Sequence, residues 1–301
     1  MSKPRVAILG VGLMGGGMAG RLLAAAFPLS IYNRNPAKAV FFVDAGAFLA
    51  SSPREAAARS EIVISMVADD GASRDMWLGE NGALAGAAPG TVVIESSTLT
   101  VGWVKQLAAA AVGHDCELLD APVTGSRSHA ASGELLFLVG GSEQALAIAR
   151  PVLSVLGREI LHFGPTGSGS VLKLINNFMA GVQAASLAEA TAFIDASGID
   201  RDRALSVLTQ GAPGSPVVKL LTTRANAGDF TPNFVLRLMA KDLEYACEEG
   251  RRHGVTLQTS ASALAVFQQA IAAGYGDQDF SAVIESLAPR SARTTQTSRS
   301  L

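Results

Sequence analysis

The 301-residue sequence predicts an α/β chain whose first half is a doubly wound, mostly parallel sheet and whose second half is all-α. Three observations predict it. Up to residue 164, short β-rich runs alternate with stretches of helical periodicity, the pattern of repeated β–α–β units. Several of those runs are nearly continuous in apolar residues, as strands covered on both faces must be. Beyond the break Phe163-Gly164-Pro165-Thr166-Gly167 only long helix-compatible runs follow.

Taken in order, the expected strands are RVAILG from Arg5, LSIYN from Leu29, EIVISMV from Glu61, TVVIES from Thr91, CELLDAPV from Cys116, ELLFLVGG from Glu134 and REILHFG from Arg158. Thr100–Val112 and Ser142–Leu156 have helical spacing between them. After the break, helices are expected over Ser170–Ser197, Arg201–Thr209, Phe234–His253, Thr259–Ala273 and Ser281–Leu287. The tail from Ala288 to Leu301, rich in Ser, Thr and Arg, has little to bury and is expected to be disordered. The chain thus divides at 1–164, 165–287 and 288–301, with no internal repeat.

Composition narrows the function classes. With 49% hydrophobic and 17% charged residues, the chain can bury a large core. A net charge of −2 offers no field to recruit nucleic acid or an anionic membrane. Cys116 and Cys247 stand far apart and outside any CxxC pattern, which argues for a reducing compartment. No apolar stretch reaches bilayer-spanning length, and the N-terminus lacks a secretory signal, so a cytoplasmic protein is expected. No Cys/His/Asp cluster has zinc-ligand spacing, and no metal is expected.

The stretch VAILGVGLMGGGMAGRLL, from Val6 to Leu23, packs Gly10, Gly12, Gly15, Gly16 and Gly17 into eight residues. Inside a helix or strand each glycine costs about 0.5–1 kcal/mol relative to alanine. Gly10-x-Gly12-x-x-Gly15, with Leu13 and Met14 inside it, directly follows an apolar strand and precedes a helical run. In that context the first glycine permits a tight turn, the second lets a pyrophosphate approach the backbone, and the third lets helix pack on strand. The phosphates then rest on the helix N-terminus. A plain glycine-rich turn is the alternative; the flanking strand and helix favour a dinucleotide site in a Rossmann domain.

The second strand bears on which dinucleotide. An NAD enzyme usually carries an acid at its end for the ribose hydroxyls. Here the chain reads Asn33-Arg34-Asn35-Pro36-Ala37-Lys38. A carboxylate would repel a 2′-phosphate, whereas Arg34 can give it two parallel hydrogen bonds, with Lys38 adding charge if it faces the same pocket. NADP(H) is therefore expected, against the plainer reading of a solvated loop arginine.

A nicotinamide enzyme that reduces a carbonyl needs a proton donor. A Tyr-x-x-x-Lys pair is absent, because Tyr32, Tyr245 and Tyr275 are followed four places on by Pro36, Glu249 and Asp279. His114, His129, His162 and His253 lack any obvious orienting carboxylate motif. What remains is the apolar helix beginning GSGSVLKLINN at Gly167, which carries Lys173, Asn176 and Asn177 near its start. Lys173 and Asn177 lie one turn apart on one face. Burial lowers a lysine's pKa, and an amide one turn away can orient it, which makes a plausible general acid. On spacing alone an ordinary polar contact between helices explains the same residues.

Four blocks carry a family resemblance: ILGVGLMGGGMAGRL, DAPVTGS from Asp120, GSGSVLKLINN from Gly167 and KDLEYA from Lys241. Together they resemble the β-hydroxyacid dehydrogenase family, which includes 3-hydroxyisobutyrate dehydrogenases, tartronate semialdehyde reductases and glyoxylate/succinic semialdehyde reductases. The match runs from about residue 6 to residue 287 in the family's order and spacing. The resemblance implies that Lys173 is the catalytic acid/base and that Asn177 helps hold it and the substrate. It implies that Thr124, Gly125 and Ser126 grip the substrate carboxylate, that Phe234 walls the pocket and that Asp242 faces the substrate. Met66, Val67, Thr98 and Lys241 would join Gly10, Gly12, Leu13, Met14, Gly15, Asn33, Arg34, Asn35 and Lys38 around the cofactor. Thr124 and Ser126 depart from the common serine-glycine-glycine, and Ala68 stands where many relatives have proline.

The resulting expectation is an NADP(H)-dependent oxidoreductase of a small hydroxyacid, semialdehyde or keto acid, acting as a homodimer or homotetramer. An imine reductase shares the architecture but usually lacks a lysine at the position of Lys173. A non-catalytic NADPH-binding module would not need Lys173, Asn177 and the DAPVTGS loop.

Overall fold

The structure is a computed structural model and describes residues 3–287, so the tail expected to be disordered lies outside the described residues. These residues fall into two compact units, the first ending at Lys173 and the second beginning at Leu174.

The first unit is built on six parallel strands, β1 (Val6–Leu9), β2 (Leu29–Tyr32), β3 (Phe48–Leu49), β4 (Ile62–Ser65), β5 (Val92–Glu95) and β6 (Glu117–Asp120). Their spatial order is β3-β2-β1-β4-β5-β6, with every neighbouring pair parallel. Helices α1 (Leu13–Ala24), α2 (Val40–Asp44), α3 (Pro53–Ala58), α4 (Asp70–Trp77) and α5 (Val101–Val112) connect them. Because side chains alternate across a strand, β1 sends Val6 and Ile8 into one core and Ala7 and Leu9 into another. β4 and β5 do the same, with Ile62, Ile64, Val92 and Ile94 on the first side and Val63 and Val93 on the second. Both faces are thus buried, which is why these strands read as unbroken apolar runs.

Two strand expectations are corrected. CELLDAPV is not one strand: it breaks after Asp120 and resumes as β7 (Val123–Thr124). Pro122 is the cause, since proline has no N–H to give a ladder. The ELLFLVGG and REILHFG runs become β8 (Leu135–Val139) and β9 (Gly157–His162), which leave the main sheet for a small one of order β7-β8-β9. There β7 pairs antiparallel with β8, and β8 parallel with β9. Helices α6 (Arg127–Ser132) and α7 (Glu143–Leu156) complete this part.

Helix α8 (Ser168–Ser197) runs for 30 residues and begins inside the first unit. The second unit continues with α9 (Arg201–Gln210), α10 (Pro216–Ala227), α11 (Leu236–Arg252), α12 (Gln258–Ala270) and α13 (Val283–Ser286). It has no strand among its described residues and packs around its own core, which includes Leu187, Leu221, Leu243 and Phe267. Helix α10 is not among the expected helices; Pro216 sits in its first turn, where the missing N–H costs nothing. Among the described residues no helix is long and apolar enough to cross a membrane.

Candidate active site

Five parallel strands of the main sheet end level with one another. Leu9 is in register with Tyr32 and Ser65, Ser65 with Glu95, and Glu95 with Asp120. The strand order reverses between β1 and β4. In such a sheet the crevice beyond the strand ends, at that reversal, is where ligands bind. The residues expected around a cofactor follow these tips: the glycine loop after β1, Asn33 to Lys38 after β2, Met66 and Val67 after β4, and Thr98 after β5.

The glycine loop can be tested against a pyrophosphate. Gly10 has φ +96°, and a Cβ there would lie 2.5 Å from the Met66 carbonyl oxygen. A Cβ on Gly15 would lie 1.9 Å from the Gly10 carbonyl oxygen, so α1 can start this close to β1 only without one. At Gly12, in contrast, a Cβ would meet nothing within 4 Å. Gly12 caps α1 with no side-chain hydrogen bond, and helix geometry leaves the N–H groups of Leu13, Met14 and Gly15 without intrahelical acceptors. Open space in front of unclaimed N–H groups and a positive helix end suit a dinucleotide's phosphates. The residues present fit the group.

After β2, the Asn33 side chain is already engaged. Its Oδ1 accepts from Val11 N–H at 3.0 Å and its Nδ2 donates to the Asn35 carbonyl at 2.7 Å, so Asn33 braces the glycine loop. Asn35 caps the following turn by accepting from Ala37 N–H at 3.1 Å. Arg34 and Lys38 are exposed in the same turn, and neither takes part in any ion pair among the described residues. After β4 and β5, Met66 N–H donates to the Leu9 carbonyl, and Val67 N–H donates to the Ser97 hydroxyl at 2.8 Å.

Asp120, at the tip of β6, is fully buried and holds the start of α8. Its Oδ1 accepts from Gly167 N–H at 2.7 Å, and its Oδ2 accepts from Ser170 N–H at 2.8 Å and the Ser170 hydroxyl at 3.0 Å. Burial pushes this carboxyl up, and the Gly167 and Ser170 donors pull against that. Lys173 follows one turn later, half-buried. Thr124 lies in β7, and Gly125 turns the chain with φ +131°. Ser126 N–H donates to Nδ1 of His129 at 3.0 Å, which leaves that ring nitrogen deprotonated and closes the turn.

In the second unit a polar cluster interrupts the apolar packing. Asn177 and Asp242 are both buried, and Asn177 Nδ2 donates to Asp242 Oδ2 at 2.5 Å. A carboxylate only accepts, so this bond fixes which way the Asn177 amide faces. Asn176 Nδ2 donates to Asn177 Oδ1 at 2.9 Å. Lys241 Nζ stands 2.9 Å from Asp242 Oδ1 and 4.6 Å from the centre of the Tyr245 ring, so the buried carboxylate has a cation beside it. Phe234 precedes α11 rather than lying in it, and its N–H donates to Asp279 Oδ2 at 3.1 Å.

Ser97, Asp120, His129 and Asp279 carry these arrangements; the sequence offered His129 only as a histidine without an orienting carboxylate and gave the other three no role. Asp120 lay inside a quoted block, and Glu95 was visible as a charge ending an apolar strand. Among the described residues no group of three or more His, Cys, Asp or Glu is placed to hold a metal ion.

A family model described as the NAD binding domain of 6-phosphogluconate dehydrogenase matches residues 5–164, and one described as the NAD-binding domain of NADP-dependent 3-hydroxyisobutyrate dehydrogenase matches 167–287. The chain belongs to the β-hydroxyacid dehydrogenase family. Among curated relatives, the NAD-dependent L-serine dehydrogenase of Pseudomonas aeruginosa is 34% identical over 286 residues, covering 93% of this chain and 96% of the relative. The glyoxylate/succinic semialdehyde reductase 1 of Arabidopsis thaliana is 30% identical, covering 94% and 98%. Among solved structures, a 3-hydroxyisobutyrate dehydrogenase from Salmonella typhimurium superposes with a TM-score of 0.85 at 32% identity, covering 93% of this chain and 99% of that one. As a β-hydroxyacid dehydrogenase the protein is an NAD(P)-dependent oxidoreductase.

Proposed function

We propose that this β-hydroxyacid dehydrogenase uses NADP(H) to interconvert a small semialdehyde or keto acid with its hydroxyacid, with Lys173 as general acid and base. The observation that carries the cofactor reading is the turn after β2, where two unpaired, exposed cations stand in place of the usual acid. The glycine loop and the first-turn N–H groups of α1 would hold the pyrophosphate, Arg34 and Lys38 the 2′-phosphate. The bound dinucleotide would supply or accept the hydride.

The chain's own residues account for the rest. In the reducing direction the Lys173 ammonium gives its proton to the carbonyl oxygen as the carbonyl carbon gains hydride, and the neutral amine is reprotonated from solvent. In the oxidising direction the neutral amine takes the hydroxyl proton. Asp120 fixes the first turn of α8 and thereby the stem of Lys173. Asn177, its amide oriented by Asp242, supports the lysine one turn on. The Thr124 hydroxyl and the Gly125–Ser126 turn anchor the carboxylate away from the reacting carbon. Such remote binding supplies orientation, a large part of what a catalyst can contribute.

The relative named as a glyoxylate/succinic semialdehyde reductase supports this substrate class, as does the lysine that an imine reductase would lack. Exposed Ile175, Met179 and Phe193 along α8 support a homodimer or homotetramer. The test is loss of NADPH absorbance with a panel of glyoxylate and the succinic, tartronate and methylmalonate semialdehydes, with NADH run in parallel. No turnover with any of them would sink the proposal.

A further inference from the structure

Glu95 closes β5, 1% exposed as a residue and with no cation among its hydrogen-bonded partners. Neutral donors hold it instead. Oε2 accepts from the Ser73 hydroxyl at 2.6 Å and from Trp77 Nε1 at 2.8 Å, and Oε1 accepts from Ser97 N–H at 2.9 Å. Trp103 Nε1 donates in turn to Ser73 Oγ at 2.9 Å. An uncompensated buried carboxylate is costly, and a leucine or methionine would fill the space without that cost. What a carboxyl group can do here, and a leucine or methionine cannot, is bond to several converging polar groups at once.

The consequence lies two residues further on. Ser97, fixed through its N–H by Glu95, accepts with its hydroxyl from Val67 N–H at 2.8 Å. The loop after β5 is thereby tied to the loop after β4. A second carboxylate secures the other end of the loop: Asp70 Oδ1 accepts from Thr100 N–H at 2.9 Å and its Oδ2 from the Thr100 hydroxyl at 2.5 Å. Thr98 therefore sits between two anchored residues.

We propose that Glu95 and Ser97 are positioning residues, a relay that locks the loop bearing Thr98 to the loop bearing Met66 and Val67, so that the walls on the nicotinamide side of the crevice hold one shape. The proposal rests on the reading of this edge as the dinucleotide site. It assigns the relay no part in gripping the adenosine half, which the glycine loop and the turn after β2 serve.

Ser97→Ala removes the acceptor of Val67 N–H together with the hydroxyl's own interaction with Glu95, while the Ser97 N–H bond to Glu95 stays. In the cofactor-free protein, hydrogen exchange at the Val67 amide should accelerate about tenfold, the worth of one hydrogen bond. Binding of whichever reduced dinucleotide the wild type prefers should weaken about three- to tenfold, while its adenosine half, 2′,5′-ADP or 5′-ADP, binds as before. Glu95→Gln should give the same asymmetry, together with a shift of tryptophan emission. Unchanged exchange at Val67, or equal weakening of dinucleotide and adenosine half, would overturn the relay. A wild type that binds no dinucleotide would instead overturn the underlying reading, and the exchange measurement would still decide whether the relay exists.

Discussion

Asparagine in place of Asp120 would replace one of the two oxygens of a buried carboxylate by an NH2 group. The wild-type group accepts three hydrogen bonds, from Gly167 N–H, Ser170 N–H and the Ser170 hydroxyl, with no exposure to solvent. Asparagine has one acceptor oxygen. Turned toward Ser170, it keeps two bonds and sets its NH2 against the Gly167 N–H, leaving a buried donor unpaired at about 1–3 kcal/mol. The two bonds that survive drop from charge-assisted to neutral, about 1 kcal/mol each, and the anion's interaction with the start of α8 is lost. Relief from burying a charge offsets part of this, because burial already pushes the Asp120 carboxyl up. The net expectation is a loss of about 2–4 kcal/mol, or about 3–6 °C in Tm at the usual scaling for a chain of this size. Lys173 lies three residues beyond Ser170, so the same change should lower kcat at least tenfold, since small misplacements of a reacting group are costly. Urea or thermal unfolding and steady-state kinetics on the variant are the assays. A Tm within about 1 °C of wild type together with an unchanged kcat would falsify the anchoring role.

Lys173→Ala is expected to lower kcat by roughly 10²–10⁴, the range for a positioned acid, with dinucleotide affinity by fluorescence titration little changed; near-normal turnover would move proton transfer elsewhere. Arg34→Ala should erase most of an expected preference of at least tenfold for NADPH, about 1.4 kcal/mol, and leave NADH use nearly unaltered. Equal use of both cofactors by the unmodified enzyme contradicts it. Burial is the main cause that raises Glu95 above its ordinary value of about 4.5, against the pull of Ser73, Ser97 and Trp77. A raised native pKa adds stability in full below the unfolded value, and that addition is lost as pH rises through the native value. The Tm difference between wild type and Glu95→Gln should therefore shift in favour of wild type as pH is lowered from neutral toward 4.5. A difference flat with pH would mean that Glu95 titrates alike in both states.

Legibility in the sequence followed the range of the interaction concerned. Strands β1, β2, β4 and β5 could be read because burial on two faces leaves a local signature of continuous apolar residues. The glycine loop could be read because its requirements are local too: at Gly10 and Gly15 the backbone tolerates no Cβ, and at Gly12 space stands open. The apolar continuity of CELLDAPV hid the break that Pro122 imposes. Hydrogen-bond partners were the least legible. Asp120 reaches donors 47 and 50 residues away, Ser97 joins Val67 across 30, and Asp242 meets Asn177 across 65. Sequence could place chemically capable side chains near the strand tips and on α8 and α11. Which of them face one another, and which, like Asn33, already have their hydrogen bonds taken up by the scaffold, is decided by the fold. The division of labour follows from that. The groups expected to meet ligand are short-range features of loops and helix starts, whereas the groups that fix their geometry are buried carboxylates, each placed by partners far along the chain.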